Sequence, residues 1–110
     1  MAFYQRIVVF ITAPQDRAEE LSRKLVEEKL AACVNIVKEV DSIYWWKGEV
    51  ERDSESLLIL KTELGLLGKL VKRVKELHPY DVPEIIAIPI VGGNPDYLKW
   101  ISDSLGLKEV

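Results

Sequence analysis

Cysteine and histidine are almost absent from this sequence of 110 residues, which contains only Cys33 and His78. A single cysteine excludes an internal disulfide, and one cysteine with one histidine cannot complete a zinc site of the Cys/His kind within one chain. No apolar run approaches the roughly 18 residues that a membrane-spanning helix requires. The segment Met1–Arg6 has no features of a secretion signal. We therefore expect a cytoplasmic protein whose fold is held by packing.

Clusters of basic residues are also lacking. The chain carries 15 Lys and Arg against 18 Asp and Glu, a net charge of −3. Binding to nucleic acid normally requires clustered positive charge, so neither nucleic acid nor a membrane is an expected partner.

The hydrophobic share of 48% is enough for one core. Residues 1–110 are predicted to form a single domain.

Hydrophobic periodicity and capping signals predict four strands and three helices. Asp16 and Glu19 have the spacing of a helix capping box, Lys47-Gly48 is typical of a tight hairpin turn, and Asn94-Pro95-Asp96 is a helix start. The predicted elements are a strand over Arg6–Thr12, a helix from Asp16 to about Lys29, a strand over Leu30–Trp46, a strand over Glu49–Lys61, a helix around Leu67–Leu77, a strand over Glu84–Val91 and a helix from Asn94.

This order, strand, helix, strand, strand, helix, strand, is that of the α+β ferredoxin-like fold, followed here by a C-terminal helix. Both long helices would lie on one face of a four-stranded antiparallel sheet. Pro89 indicates that the last strand lies at an edge or contains a bulge. The other face of the sheet has no obvious cover within the chain.

The predicted hairpin is much longer than ordinary strands of about 5 to 6 residues, and its far end carries Tyr44, Trp45 and Trp46. Two interpretations stay open. The aromatic rings either fold back over their own sheet, or they contact a second copy of the chain in an oligomer. The acidic residues of the returning strand, Glu49 to Glu55, are either a solvated face or weak ligands for hard cations.

His78 follows the second predicted helix. A charged imidazole there would interact favourably with the helix dipole, which is a structural role. The functional alternative is a metal ligand or a polar residue of a pocket, with Asp81 and Glu84 nearby in the sequence.

Three further segments have a structural and a functional interpretation. Cys33 in its apolar run is either a packed thiol or a ligand for a soft metal. Lys61-Thr62-Glu63 is either a strand exit with a helix cap or a group of site residues at a strand end. Gly92-Gly93-Asn94 is either a turn or an anion site at a helix N-terminus.

Several blocks of the sequence, taken together, resemble the CutA family of divalent-cation tolerance proteins. The matching blocks occur in the order and spacing of that family from Val8 to Ile101. They are Thr12-Ala13-Pro14, Leu30-Ala31-Ala32-Cys33-Val34-Asn35, Tyr44-Trp45-Trp46-Lys47-Gly48-Glu49-Val50-Glu51, Glu55, Leu60-Lys61-Thr62, His78-Pro79-Tyr80-Asp81-Val82-Pro83-Glu84 and Tyr97-Leu98-Lys99-Trp100-Ile101.

The resemblance implies a homotrimer of ferredoxin-like subunits linked by long hairpins, similar in architecture to the trimeric PII signal proteins. It implies no enzymatic reaction, but a link to tolerance of copper and other divalent cations. His78 and Cys33 match a histidine and a cysteine of the family's motifs. Some relatives carry another cysteine and another histidine where this chain has Ile11 and Leu77. A site here would therefore be weaker or richer in oxygen ligands.

Two functions are expected from this reasoning. The first is a cytoplasmic trimer that binds copper or another divalent cation in a cleft between subunits, through His78 with carboxylates such as Asp81 or Glu84, with Cys33 as a further candidate ligand. The second is a PII-like signalling trimer in which a cleft near Lys61, Tyr80 and Glu84 takes a small anionic molecule or an unidentified protein.

Overall fold

A computed structural model describes residues 6–107, and in that part of the chain the four strands and three α-helices follow the predicted order. Predictions about residues 1–5 and about the C-terminal tail lie outside this range. No helix within it has the length and apolar character needed to cross a membrane. The elements are β1 (Arg6–Ala13), α1 (Ala18–Glu27), β2 (Cys33–Trp46), β3 (Glu49–Glu63), α2 (Leu67–Leu77), β4 (Ile85–Pro89) and α3 (Pro95–Ser104), with a 3-10 turn at Leu64–Leu66 before α2.

The four strands form one antiparallel sheet in the order β2-β3-β1-β4, which confirms the predicted ferredoxin-like fold. Strand β4 lies at an edge, as Pro89 indicated, and Pro89 is its last residue, opposite Ile7 on β1. An edge strand tolerates proline because one side of its backbone needs no partner in the sheet.

The main core lies between the sheet and the pair α1 and α2. Alternate residues of β1 are buried, as expected for a strand whose side chains point in turn to opposite faces. Leu25 of α1 and Leu70 of α2 are fully buried against this face. Burial of each such side chain stabilises the fold by about 1.5 to 3 kcal/mol.

The other face of the sheet is largely open. Ile86 and Ile88 on β4 are about half exposed, at 53% and 48%. Helix α3 covers only the end of this face where β1 begins. There the hydroxyl of Ser102 donates a hydrogen bond to the buried carboxylate of Glu63 and accepts one from Arg6. The expectation that an apolar face stays uncovered within the chain is therefore confirmed for the described residues.

The predicted start of the first helix is wrong. Helix α1 begins at Ala18 after Arg17, whose side chain makes no capping hydrogen bond, so no capping box forms with Asp16. The backbone of Arg17 instead closes a turn with the carbonyl of Pro14 at 3.0 Å. This turn takes up the residues from Pro14 to Arg17, so the helix starts only at Ala18.

Three strand ends also differ from prediction. Lys29 adopts the left-handed conformation with φ of 59°, which ends the helical region and delays β2 until Cys33. Thr62 and Glu63 continue β3 instead of leaving it, and the Thr62 hydroxyl donates to the carbonyl of Leu30 at 2.8 Å. Strand β4 is shorter than predicted because only Ile85–Pro89 pair with β1.

The hairpin turn at Lys47-Gly48 is confirmed. Both residues have positive φ, 50° and 82°, which is the backbone of a type I′ turn and suits the twist of paired strands. Beyond β1 the hairpin continues alone, and the molecule reaches 48 Å in its longest dimension. Trp45 at its far end is 73% exposed, so this ring does not fold back over its own sheet, whereas Tyr44 and Trp46 are only 37% and 40% exposed.

A β-bulge lies where the hairpin leaves the sheet. Lys38 and Glu39 of β2 lie opposite the single residue Ser56 of β3, and the Ser56 hydroxyl donates to the Lys38 carbonyl at 2.6 Å. Beyond an extra residue in one strand, the side chains that would have pointed to one face of the sheet point to the other. Val40 and Tyr44 therefore share a face with Glu55, on the open side of the sheet.

Candidate functional site

A cleft of about 800 Å³ lies between the base of the hairpin and the loop that follows α2. Thr12, at the end of β1, lies at its base. Its walls are rich in two kinds of side chain. Five are carboxylates, Asp41, Asp53, Glu55, Asp81 and Glu84, and four are aromatic, Tyr44, Trp45, Trp46 and Tyr80.

The loop after α2 is held against the sheet by His78. The helix ends there because His78 has an extended backbone and precedes Pro79, which disfavours helical geometry in the residue before it. The ring is buried. Its Nε2 lies 2.7 Å from the carbonyl oxygen of Thr12, and its Nδ1 accepts a hydrogen bond of 3.1 Å from the backbone N–H of Tyr80. A neutral imidazole protonated at Nε2 satisfies both partners, since a carbonyl can only accept.

Tyr80 closes the inner wall of the cleft. Its ring packs against that of His78 with centroids 4.6 Å apart, and its hydroxyl donates a 3.0 Å hydrogen bond to Oε1 of Glu55. Burial, and then the hydrogen bond to the carboxylate, raise the pKa of Tyr80 above its ordinary value. The phenol therefore stays a neutral donor at physiological pH, while Glu55 is almost completely buried.

A second tyrosine and carboxylate pair lies on the hairpin. The hydroxyl of Tyr44 donates to Asp53 on the neighbouring strand. This hydrogen bond is the main reason why the pKa of Tyr44 is raised to about 12. At the rim, Asp41 is paired with Arg52 at 3.0 Å. Among residues 6–107, Glu55 and Asp53 thus each accept a hydrogen bond from a neutral phenol, whereas Asp41 is paired with a cation.

The residues predicted as metal ligands are not brought together. In residues 6–107 no group of three or more His, Cys, Asp or Glu side chains has the geometry to hold a metal ion. Both ring nitrogens of His78 are engaged by the backbone. Cys33 pairs with Lys61, and Lys61 pairs with Val8 on β1. Val8 is four residues along β1 from Thr12, the residue that His78 contacts, which is a distance of about 13 Å. A copper site of thiolate and imidazole therefore cannot form from Cys33 and His78 within one chain. The other two predicted ligands, Asp81 and Glu84, both line the cleft.

Lys61 also lies away from the cleft. Its ammonium donates a hydrogen bond to the side-chain amide of Asn35, and both residues are at the opposite end of the open face. The thiol of Cys33 is close to the Asn35 amide oxygen, at 3.9 Å, and to Tyr97 of α3, whose pKa is raised by burial and then by the neighbouring thiol. The strand register therefore separates Lys61 from Tyr80 and Glu84 within one chain, and their grouping at a cleft of the trimer stays a prediction.

Sequence reasoning did not assign Thr12, Tyr44 or Asp53 to the cleft. Glu55 was treated as part of an acidic run, and no local pattern distinguishes a buried carboxylate from its exposed neighbours. The segment Gly92-Gly93-Asn94 is an irregular connection that ends in the N-cap of α3, since the Asn94 side chain accepts from the backbone of Asp96 at 3.1 Å.

The element order and the two helices on one face of a four-stranded antiparallel sheet place this protein in the class of ferredoxin-like α+β domains, here with an acidic cleft beside a projecting hairpin. Residues 7–104 match the family model described as CutA1 divalent ion tolerance protein. The chain belongs to the CutA1 family.

Relatives and solved structures agree with this assignment. The chain is 53% identical over 100 residues to the divalent-cation tolerance protein CutA of Thermus thermophilus, covering 90% of this chain and 97% of the relative. It is 52% identical over 99 residues to the chloroplastic protein CutA 1 of Oryza sativa, covering 89% of this chain. The crystal structure of the Oryza sativa CutA1 superposes with a TM-score of 0.88 at 50% identity, covering 91% of this chain and 93% of that one.

The chain spans just over half the length of its plant relatives, 56% for the Oryza sativa protein and 54% for the chloroplastic CutA of Arabidopsis thaliana. A similar structure from Archaeoglobus fulgidus, with a TM-score of 0.87, 39% identity and coverage of 91% of this chain and 98% of that one, is named as a periplasmic protein. Since these names refer to different compartments, the cytoplasmic location stays a prediction.

Proposed function

We propose that this protein acts in divalent-cation tolerance by binding cations in its cleft, without catalysing a reaction. The observation that carries the proposal is the charge of the cleft. Five carboxylates line it, and no lysine or arginine of residues 6–107 does so. Membership of a family described by divalent ion tolerance supports the same function.

The proposed ligands for a metal ion are the carboxylates of Asp81 and Glu84. Oxygen ligands suit hard divalent cations such as Mg²⁺, Ca²⁺ and Mn²⁺, while copper(I) prefers thiolate and thioether sulfur. Two carboxylates are fewer than the six or more oxygens that such ions usually take, so water would complete the coordination. Binding is therefore proposed to be weak and rapidly reversible, and copper(II) or zinc would bind through the same oxygens.

We propose further that the protein is a homotrimer. The open face of the sheet supports self-association, because Ile86 and Ile88 on that face would otherwise remain in water. The exposed Trp45 on the hairpin supports it as well, and Tyr44 and Trp46 beside it are the other proposed contacts. A closed ring of identical subunits would cover every such face equally.

The alternative of a small anionic ligand is not favoured. Carboxylates in the cleft would repel an anion, and Lys61, the cation expected to hold it, lies at the other end of the open face. A PII-like role with a protein partner has no specific contact to support it.

The test is a calorimetric titration of Mn²⁺, Ca²⁺, Cu²⁺ and Zn²⁺ into the purified protein, with the mass in solution measured on the same sample. Saturable binding that weakens in the double variant Asp81→Asn with Glu84→Gln is expected. Asp16→Asn with Glu27→Gln, an equal change of two charges at exposed positions before and on α1, should leave the binding unchanged.

Two results would contradict the proposal. One is the absence of saturable binding for every ion. The other is tight copper binding that is lost in Cys33→Ser, which would point to a thiolate site formed between subunits.

A further inference from the structure

We infer that the outer face of helix α2 is a docking site for an acidic, extended segment of a partner protein. This face carries Lys69, Lys72 and Lys75, and all three side chains are exposed. Helix α2 packs on the face of the sheet opposite to the open one, through the buried Leu70 and Val74. The proposed docking site is therefore separate from the cleft and from the proposed subunit contacts.

The first observation is positive charge that has no partner on the protein. Helix α2 contains four basic residues and one acidic residue, in a chain whose net charge is −3. Arg73 forms salt bridges with Glu28 and with Glu76, the acidic residue of α2. On α1, Arg23 likewise has a carboxylate partner, Glu19. Within residues 6–107 none of the three lysines forms a salt bridge, so their charges are available to a ligand.

The second observation is that α2 departs from helical preference at this place. Lys72 is three positions from both Lys69 and Lys75, a spacing at which like charges on a helix repel each other. Gly68 is exposed inside the helix, where glycine is less favourable than alanine. Its φ is not positive, and an added Cβ would meet no atom of the described residues within 4 Å, so neither backbone conformation nor packing requires glycine. Departures of this kind are expected at functional sites.

The third observation is the shape of the surface. A shallow groove of about 420 Å³ is lined by Gly68, Val71, Lys72, Lys75 and Glu76. Because Gly68 has no side chain, the backbone of a ligand can approach the helix closely there. Val71 and the methylene groups of the lysines offer apolar contact, while the ammonium groups offer charge. This combination suits a polypeptide that carries acidic side chains.

Dimensions favour a protein segment over nucleic acid or a lipid surface. Six residues of helix separate Lys69 from Lys75, which is about 9 Å along the axis. Every second side chain of an extended segment lies on the same face, about 6.5 Å apart, so two or three carboxylates can reach the lysines. Anionic lipids are typically recognised by about 4 to 8 clustered basic residues, and nucleic acid by a basic domain. Three lysines beside Glu76, in an acidic chain, form a smaller site than either requires.

The experiment is a fluorescence anisotropy titration of the whole protein into a labelled peptide in which glutamate alternates with serine. A matched peptide with glutamine in place of glutamate isolates the charge. Saturable binding of the glutamate peptide is expected at low ionic strength, and weaker binding at physiological ionic strength, because salt screens exposed charges. The glutamine peptide should bind about tenfold more weakly, or less.

Variants locate the site. Lys72→Gln with Lys75→Gln should weaken binding of the glutamate peptide about threefold to thirtyfold. The matched control, Arg23→Gln with Lys29→Gln, removes two charges at exposed positions on and after α1 and should have little effect. Gly68→Gln places a side chain in the groove without changing the charge. It should reduce binding while it raises the melting temperature, since glutamine favours a helix more than glycine does.

The inference is overturned if the glutamate peptide does not bind saturably, if the glutamine peptide binds equally well, or if the lysine variant binds like the unmodified protein. An equal loss in the control variant would assign the effect to net charge and would overturn it as well. Tighter binding of a short DNA duplex, or of vesicles that contain phosphatidylglycerol, would contradict a protein partner. The variant Asp81→Asn with Glu84→Gln should retain peptide binding, so failure of the metal role and failure of this inference give different results.

Discussion

The hydroxyl of Tyr80 lies 3.0 Å from Oε1 of Glu55 and joins the loop after α2 to the base of the hairpin. The two residues are 25 positions apart in the sequence. The carboxylate lies on the open side of the sheet and is buried chiefly because the loop folds back over it. This hydrogen bond and the contact of His78 with the Thr12 carbonyl together hold the wall of the cleft in place.

Removal of that hydroxyl should destabilise the protein. Tyr80→Phe leaves the buried Glu55 without its donor, and we expect the free energy of unfolding to fall by about 1 to 3 kcal/mol. Urea unfolding followed by circular dichroism measures the change. Tyr44→Phe, which removes a donor to the exposed carboxylate of Asp53, is the matched control, and equal losses for the two variants would show that the burial of Glu55 is unimportant.

His78 is expected to act in the structure of the loop and not as a metal ligand. His78→Ala leaves the Thr12 carbonyl and the Tyr80 N–H without partners, so the free energy of unfolding should fall by about 1 to 3 kcal/mol. His78→Gln, which can both donate and accept, should recover part of the loss. Affinity for copper and zinc should be unchanged in both variants, and a large fall in metal affinity in folded His78→Gln would restore the ligand role.

The tyrosines should ionise late in alkaline solution. The hydrogen bond to Asp53 raises the pKa of Tyr44 from 10.0 to about 12, and burial raises those of Tyr80 and Tyr97. Because the folded protein keeps the Tyr44 proton to higher pH than the unfolded chain, this stabilisation is complete below pH 10 and is lost as the pH rises through about 12.

Absorbance of tyrosinate as a function of pH, in native protein and in urea, tests this order. Asp53→Asn should move one native transition to lower pH. A native titration that matches the unfolded one would be inconsistent with the hydrogen bonds of Tyr44 and Tyr80.

Self-association should depend on the open face and on the hairpin. Ile86→Lys places a charge on the open face, and Trp45→Ala with Trp46→Ala removes the exposed aromatic area, so both variants should shift the sedimentation profile towards smaller species. Val26→Lys, on the outer surface of α1, should sediment like the unmodified protein. Unchanged profiles for both test variants at low micromolar concentration would contradict the proposed contacts.

Local patterns in the sequence predicted the order of the elements, because they depend on neighbouring residues. Lys47-Gly48 needs only its own backbone preference to form a turn, and Asn94 needs only the N–H of Asp96 to cap α3. The predicted capping box at Asp16 was wrong because another local interaction, the turn between Pro14 and Arg17, involves the same few residues.

Sequence by itself thus determined the fold class and the hairpin, through periodicity and turn chemistry that act over a few residues. Only the tertiary structure decided which side chains meet. The bulge opposite Ser56 places Tyr44 on the face of Glu55, and strand register separates Cys33 from His78. The partner of His78 is Thr12, 66 positions away. Such contacts follow from the pairing and register of whole strands, which no short segment encodes.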